Sequence, residues 1–438
     1  MSQVASISRT LRLATIATAA ILTFGAPLAN AQKANKQAEP ERATKKVESL
    51  SKAVYDKLLK AQEAIDGKDV AGALRILNGI DRSKLSGYEQ SNLDNYYGFA
   101  HYSNGDNRSA LRSYEAVVNN PDTEPNMRTQ VLYTVASLHA QNENWDQTIR
   151  YLNEWFTLTI NPTPAAYILL ASAYQSKGDY PQTIKATTTA IDLAKEKGQQ
   201  PKESWWNLLY YSYYQTENFP KVRDTLKILI AGWPKKAYWL QLGAVYSELG
   251  DEKNFLAAYE AAFLQGMLES ESEIVTYAQL LLQQEVPHKA AVVLDKGMTD
   301  GVITKTAKNY RLLSQAWSLA QEDEKAIGPL TQAAKLSDDG ELYARLAVSY
   351  LNLDRFDDCV GAGRSGISKG GLKKPMDVRM TVGQCLYNQE KYSASKDEFL
   401  RVVRNGSDKD KRIAQQWVRV IDSDMERLAQ LRRALASN

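Results

Sequence analysis

The sequence predicts an all-α fold: a right-handed superhelical solenoid of about ten helix-turn-helix units, closed by a C-terminal capping helix. Three observations predict it. A pattern of small and apolar residues returns roughly every 36 residues from about residue 50 to residue 408. Within each unit two short amphipathic stretches flank a turn, often marked by Gly followed by Asp. Prolines at 162, 201, 234 and 375 fall between units, where a helix must stop. One such pair cannot bury its apolar face alone. Stacked pairs share a continuous core and leave a long concave surface.

Residues 1–31 read as a secretory signal peptide. Arg9 and Arg12 supply the positive start, Leu13 to Phe24 the apolar run, and Ala29-Asn30-Ala31 a small-x-small cleavage site. The run is shorter than the ~20 residues that a membrane-spanning helix needs. No cysteine near the cleavage site offers a lipid attachment point. The expectation is export to the periplasm of a Gram-negative cell, with cleavage after Ala31. Residues 32–48 hold almost no large apolar side chain and read as a flexible leader.

The solenoid is expected over 49–408. In each unit a small residue on the first helix faces a residue twelve positions later on the second. The pairs are Ala61 with Ala73, Gly98 with Ala110, Ala136 with Thr148 and Ala171 with Thr183. Next come Tyr210 with Val222, Gly243 with Phe255, Ala278 with Ala290 and Ser314 with Ala326. The last are Ala347 with Cys359 and Gly383 with Ser395. Tyr210 is bulky where the others are small, so the fifth unit should pack more loosely or shift locally. The first and tenth units carry the weakest pattern. Residues 409–438 hold a longer amphipathic helix and a tail; Ile413, Trp417, Val420, Ile421, Leu428 and Leu431 line its apolar side. Its roles are to cap the last unit or to mediate oligomerisation.

Composition excludes several functions. Formal net charge is +3, and loss of Arg9 and Arg12 leaves 52 basic against 51 acidic side chains. That balance does not suit phosphate-backbone binding, which needs a basic surface. Gly361-x-Gly363-x-x-Gly366 matches the dinucleotide fingerprint in letters, but no strand precedes it and it falls inside a second helix. The expectation there is a thinly packed helix. His101 and His139 occupy the same unit position and read as core residues, and no histidine pair has metal-ligand spacing. No nucleophile elbow or HExxH occurs, so the chain reads as a binding protein without cofactor, metal or catalytic residues. Cys359 and Cys385 lie on helices that should be neighbours; they either bridge or remain free core thiols.

The candidate partner-binding groove follows from unit positions. The aromatic run from Trp205 to Tyr214 sends Trp206 and Tyr213 inward to the core and Tyr211 and Tyr214 toward the concave side, beside Asn207. Rigid rings there suit a peptide groove, although they would equally cover a neighbouring helix. Equivalent positions elsewhere hold Tyr133, Gln141, Ser172, Arg311 and Gln315.

The sixth unit is the clearest copy: Trp239-x-x-Leu242-Gly243-x-x-Tyr246, a turn at Gly250-Asp251, then Phe255, Tyr259 and Ala262. With its fellow units it resembles the tetratricopeptide repeat. A narrower likeness rests on Tyr238-Trp239-Leu240-Gln241-Leu242, Ser337-Asp338-Asp339-Gly340-Glu341-Leu342-Tyr343, Gly370-Gly371-Leu372-Lys373-Lys374-Pro375 and Ala414-Gln415-Gln416-Trp417. These look like a proteobacterial family of periplasmic repeat proteins associated with TonB energy transduction. The resemblance implies a scaffold role beside TonB and the ExbB/ExbD proton-channel proteins, with proteins or extended peptide segments as partners. The tenth unit departs from a strong repeat, with Arg379 at a usually apolar position. The alternative is a scaffold for outer-membrane, pilus, secretin or cell-wall assembly.

Overall fold

The computed structural model describes residues 49–436. The signal peptide and leader expected at 1–48 lie outside them. Among the described residues there are twenty-one α-helices and no strand. They pair in chain order: α1 (Lys52–Asp66) with α2 (Val70–Asn78), α3 (Gly87–Ser103) with α4 (Asn107–Asn119), and α5 (Pro125–Gln141) with α6 (Trp145–Leu158). Then come α7 (Pro164–Ser176) with α8 (Tyr180–Glu196), α9 (Glu203–Gln215) with α10 (Phe219–Gly232), and α11 (Lys236–Glu248) with α12 (Glu252–Leu264). The series continues with α13 (Glu271–Gln283) and α14 (Pro287–Thr299), then α15 (Ala307–Leu319) and α16 (Asp323–Leu336). It ends with α17 (Glu341–Asn352) and α18 (Phe356–Lys369), α19 (Pro375–Asn388) and α20 (Tyr392–Asn405), and a last long helix, α21 (Asp408–Ala436). Each pair packs on the next, which makes the chain a solenoid with a core spread along its length.

All ten helix pairs turn by one device. The residue seven places after the small first-helix position has positive φ in every unit. Glycine fills that place in three units, at 105, 178 and 250. Lys68, Glu143, Glu217, Glu285, Gln321, Asp354 and Glu390 fill it in the other seven. The next residue then donates its N–H to a carbonyl five residues back, as Asp106 does to His101 at 2.9 Å and Lys391 to Leu386 at 2.9 Å. This is the six-to-one hydrogen bond of a Schellman cap. An L-residue in the left-handed region pays roughly 1–2 kcal/mol. Glu143→Gly should therefore stabilise the third unit by about 0.5–1 kcal/mol, after the extra chain entropy of glycine is deducted. Chemical denaturation of the single variant against the parent measures it.

The same residue that closes the first helix opens the second. Asp69, Asp106, Asp179, Asn218 and Asp251 accept a backbone N–H of the first turn. Val286, Glu322, Arg355 and Lys391 stand at that place in the last four units and make no such bond. The capping chemistry thus weakens toward the C-terminus.

The helices in a pair approach closely at the expected small residues, but a second offset decides the fit. An added Cβ on Gly98 would lie 2.5 Å from the Tyr114 ring, on Gly243 3.1 Å from Tyr259, and on Gly383 2.8 Å from Phe399. Each aromatic lies sixteen residues after its glycine. In three of the five units whose first position is alanine, the partner at that offset is leucine: Leu77 for Ala61, Leu152 for Ala136 and Leu294 for Ala278, all fully buried; Ala171 has Thr187 and Ala347 has Gly363 there. Across the three glycine–aromatic and three alanine–leucine contacts the total volume is conserved, as dense interiors require. Ser395 also donates its hydroxyl to the Gly383 carbonyl at 2.7 Å across the tenth pair.

Two local expectations change. Gly363 and Gly366 do not thin the packing of α18. A Cβ on Gly363 would strike Val382 of α19, and one on Gly366 would come 3.1 Å from the Gly340 carbonyl. Those glycines let α18 seat against its neighbours at backbone distance. Arg379, expected to weaken the tenth unit, reaches Glu398 on α20 at 2.9 Å, with both side chains largely buried. An ion pair replaces the apolar contact there. In the fifth unit Val222 and Leu226 are fully buried while Tyr210 is only partly so.

Cys359 on α18 and Cys385 on α19 are joined as a disulfide, with Cα atoms 6.4 Å apart. The first half of α21 covers the last unit. Ala414 and Ile421 are fully buried, Trp417 stacks on Phe399 at 5.3 Å, and Tyr387 donates to Asp424 at 2.7 Å.

Candidate functional site

The odd-numbered helices occupy the inner side of the coil. Successive odd helices touch directly, α1 with α3, α5 with α7 and α17 with α19, and no two successive even-numbered helices make contact of that extent. Elements on the inside of a curve lie closer together. Residues on the free side of the odd helices therefore line the concave surface.

Glutamates at three odd-helix N-termini hold this side in register. Glu203, Glu271 and Glu341 are the first residues of α9, α13 and α17, and each grips the next inter-unit segment. Glu203 accepts from Lys235 at 2.5 Å and from the Tyr238 hydroxyl. Glu271 accepts from Thr304 at 2.6 Å and Asn309 at 2.6 Å, and Glu341 from the Lys373 amide. The Lys235 ammonium, then the Tyr238 hydroxyl, hold the Glu203 carboxyl below the usual glutamate range; the Thr304 hydroxyl, then Asn309, do the same to Glu271. A depressed folded pKa means stability present above the unfolded value and lost as pH falls through the folded one. Acidification from about pH 5 to about pH 3 should loosen the α9–α11 and α13–α15 contacts. Glu271→Gln should flatten that pH dependence for α13–α15 in amide exchange.

The predicted groove residues divide into two sets. Gln141, Arg311 and Gln315 are exposed on α5 and α15, and Tyr214 on α9 keeps 45% of its surface. The others are already engaged. Tyr133 leans on Trp155 of α6 at 5.3 Å, and burial pushes its phenol pKa up. Ser172 turns its hydroxyl onto the Ile168 carbonyl of its own helix at 2.9 Å. Asn207 bonds the Tyr238 hydroxyl of α11 at 3.0 Å, so it ties two units together. Tyr211 meets Tyr180 of α8 edge-on at 5.9 Å, and Tyr214 meets Phe219 of α10 at 6.4 Å. The aromatic run thus covers neighbouring helices at these two contacts, with Tyr214 still presenting a face to solvent. Beneath it, burial pushes the Tyr210 phenol up to about 12. Gln141 accepts from Asn107 at 3.2 Å, a weak link that a ligand can replace.

His139 is buried against Tyr151, with rings 5.3 Å apart, and its Nε2 lies 3.0 Å from Glu115. Among the described residues no group of three His, Cys, Asp or Glu is placed to hold a metal ion, and no helix is long and apolar enough to cross a membrane.

A tetratricopeptide-repeat family model matches residues 237–264, the α11–α12 pair. That pair is a tetratricopeptide repeat. The other nine pairs share the positive-φ turn of that unit, and two of them, at Gly98 and Gly383, share its glycine–aromatic approach. No curated protein matches the chain. Among solved structures it is similar to a tetratricopeptide repeat protein from Parabacteroides merdae, at 14% identity and a TM-score of 0.33, covering 60% of this chain and 99% of that one. It is similar to the TPR2AB domain of yeast Sti1 in complex with an HSP90 peptide, at 14% identity and a TM-score of 0.35, covering 60% and 98%. It is also similar to MamA from Desulfovibrio magneticus, at 14% identity and a TM-score of 0.32, covering 41% and 96%.

Proposed function

We propose that the protein is a periplasmic scaffold whose concave face holds an extended segment of a partner protein, as an accessory of a TonB-dependent outer-membrane transport system. The observation that carries the binding role is the row of exposed side chains on the inner helices: Gln141, Tyr214, Arg311 and Gln315. An extended segment can lie along such a row, which draws on the third, fifth and eighth units. The row is mixed polar and aromatic with one cation, which suits a segment with hydrogen-bonding and weakly acidic character rather than a highly charged one. The TonB assignment rests on the sequence resemblance at residues 238–242, 337–343, 370–375 and 414–417. The periplasmic location rests on the export signal in residues 1–31. The role is binding, without chemistry.

Binding of the purified chain to the periplasmic regions of TonB, ExbB and ExbD homologues tests both parts. The expected result is affinity for one of them, weakened about tenfold by Tyr214→Ala combined with Arg311→Glu, a loss of ~1.4 kcal/mol. Full affinity in that variant would remove the groove assignment. Absence of binding to all three would remove the TonB assignment and leave the scaffold.

A further inference from the structure

Away from the inner face, the fourth and fifth units form an open depression of about 550 Å³ that the groove does not use. Its walls come from the end of α8, the segment 198–201 and the C-terminal end of α10. Trp206 and Trp233 face it, with Ile228 on the floor; Ile228 keeps 41% of its surface exposed, unusual for isoleucine. Ala231 and Gly232, at the end of α10, put little side-chain bulk into the depression. An added Cβ at Gly232 meets no heavy atom within 4 Å, and its φ is ordinary, so nothing in the backbone requires glycine there. The volume lies within the roughly 300–1,000 Å³ of small-ligand sites.

The polar groups at the rim set the ligand's charge. Lys195 carries its ammonium 5.3 Å from the Trp206 ring, and Gln199 and Gln200 add amide groups. The residues that line the depression include no carboxylate. Two indoles supply flat apolar area at low entropic cost, and one unopposed ammonium stands at their edge. We propose that this depression is a second binding site, independent of the inner face, for an aromatic ring that bears an anionic group. That chemistry occurs in a free aromatic carboxylate and in an acidic-aromatic stretch of a protein segment.

The test is fluorescence titration of the full chain with anilinonaphthalene sulfonate, an aromatic anion, and with neutral N-phenylnaphthylamine. Lys195 is exposed, so Lys195→Glu leaves the fold intact; it should weaken the anionic probe about tenfold and leave the neutral one unchanged. Gly232→Leu places a side chain in the open space and should weaken both probes at least tenfold. Displacement of the sulfonate by phenylpropionate assigns the site to a small anion. Displacement only by a capped Glu-Phe peptide assigns it to a partner segment. The proposal is overturned if neither variant alters sulfonate binding, if Lys195→Glu weakens both probes equally, or if neither competitor displaces the probe.

Discussion

Gly98→Ala and Tyr114→Leu, made singly, are each expected to destabilise the second unit by about 2 kcal/mol, whereas the double substitution should lose less than about 1 kcal/mol. The first change drives a Cβ to 2.5 Å from the Tyr114 ring, which is fully interior and has no room to retreat. The second empties the space that the ring fills above the glycine. Together they recreate the alanine–leucine contact already present at Ala61 with Leu77, Ala136 with Leu152 and Ala278 with Leu294. A coupling near 3 kcal/mol is large for one contact, and it follows only if packing volume is shared between the sixteen-residue partners. Denaturant unfolding of the four proteins measures the cycle. Additive losses would show that the glycine–aromatic pairing has no energetic meaning.

Loss of the disulfide should have the largest effect on the C-terminal units. Cys359→Ser with Cys385→Ser opens a closed loop that spans a sequence separation of 26. Chain entropy assigns such a loop about 3.5 kcal/mol. The stabilisation matters at that place because the second helices of the last four units lack side-chain N-caps. In a solenoid each unit leans only on its neighbours, so local weakness is not averaged away. Amide exchange should therefore accelerate in α17–α21 and stay unchanged in α3–α12. Uniform acceleration along the chain would mean that the solenoid unfolds as one cooperative body and that the bridge acts globally.

The unit count, the small-residue offset and the long final helix were all readable from periodicity, because they recur and any one copy can be checked against the others. The sixteen-residue partners were equally present in the letters, at Tyr114, Tyr259 and Phe399 beside Gly98, Gly243 and Gly383, yet they become visible only once the helices are crossed. The seven non-glycine turns had no local signal. Glu143 or Gln321 carries no preference for positive φ, and the Schellman hydrogen bonds impose it. The glycines of α18 looked like missing bulk because the sequence does not show that Gly340 and Val382 come to meet them. In the groove, unit position placed residues on the inner helices, but engagement depended on a neighbour. Trp155 claims Tyr133, Tyr238 claims Asn207 and Tyr180 claims Tyr211, and each lies on another helix. Arg311 and Gln315 stay exposed, and Gln141 meets another helix through the Asn107 amide.

The most direct measurement of the central claim is site-resolved photo-crosslinking in the cell of origin. A photoreactive residue is placed at Gln141, Arg311 or Gln315 on the inner helices, and at Thr188 or Asp295, which are exposed on α8 and α14. The account predicts adducts to one partner protein from the three inner positions and none to that partner from the two outer ones. Adducts from Thr188 and Asp295 alone would contradict it, and would move the binding surface to the second helices.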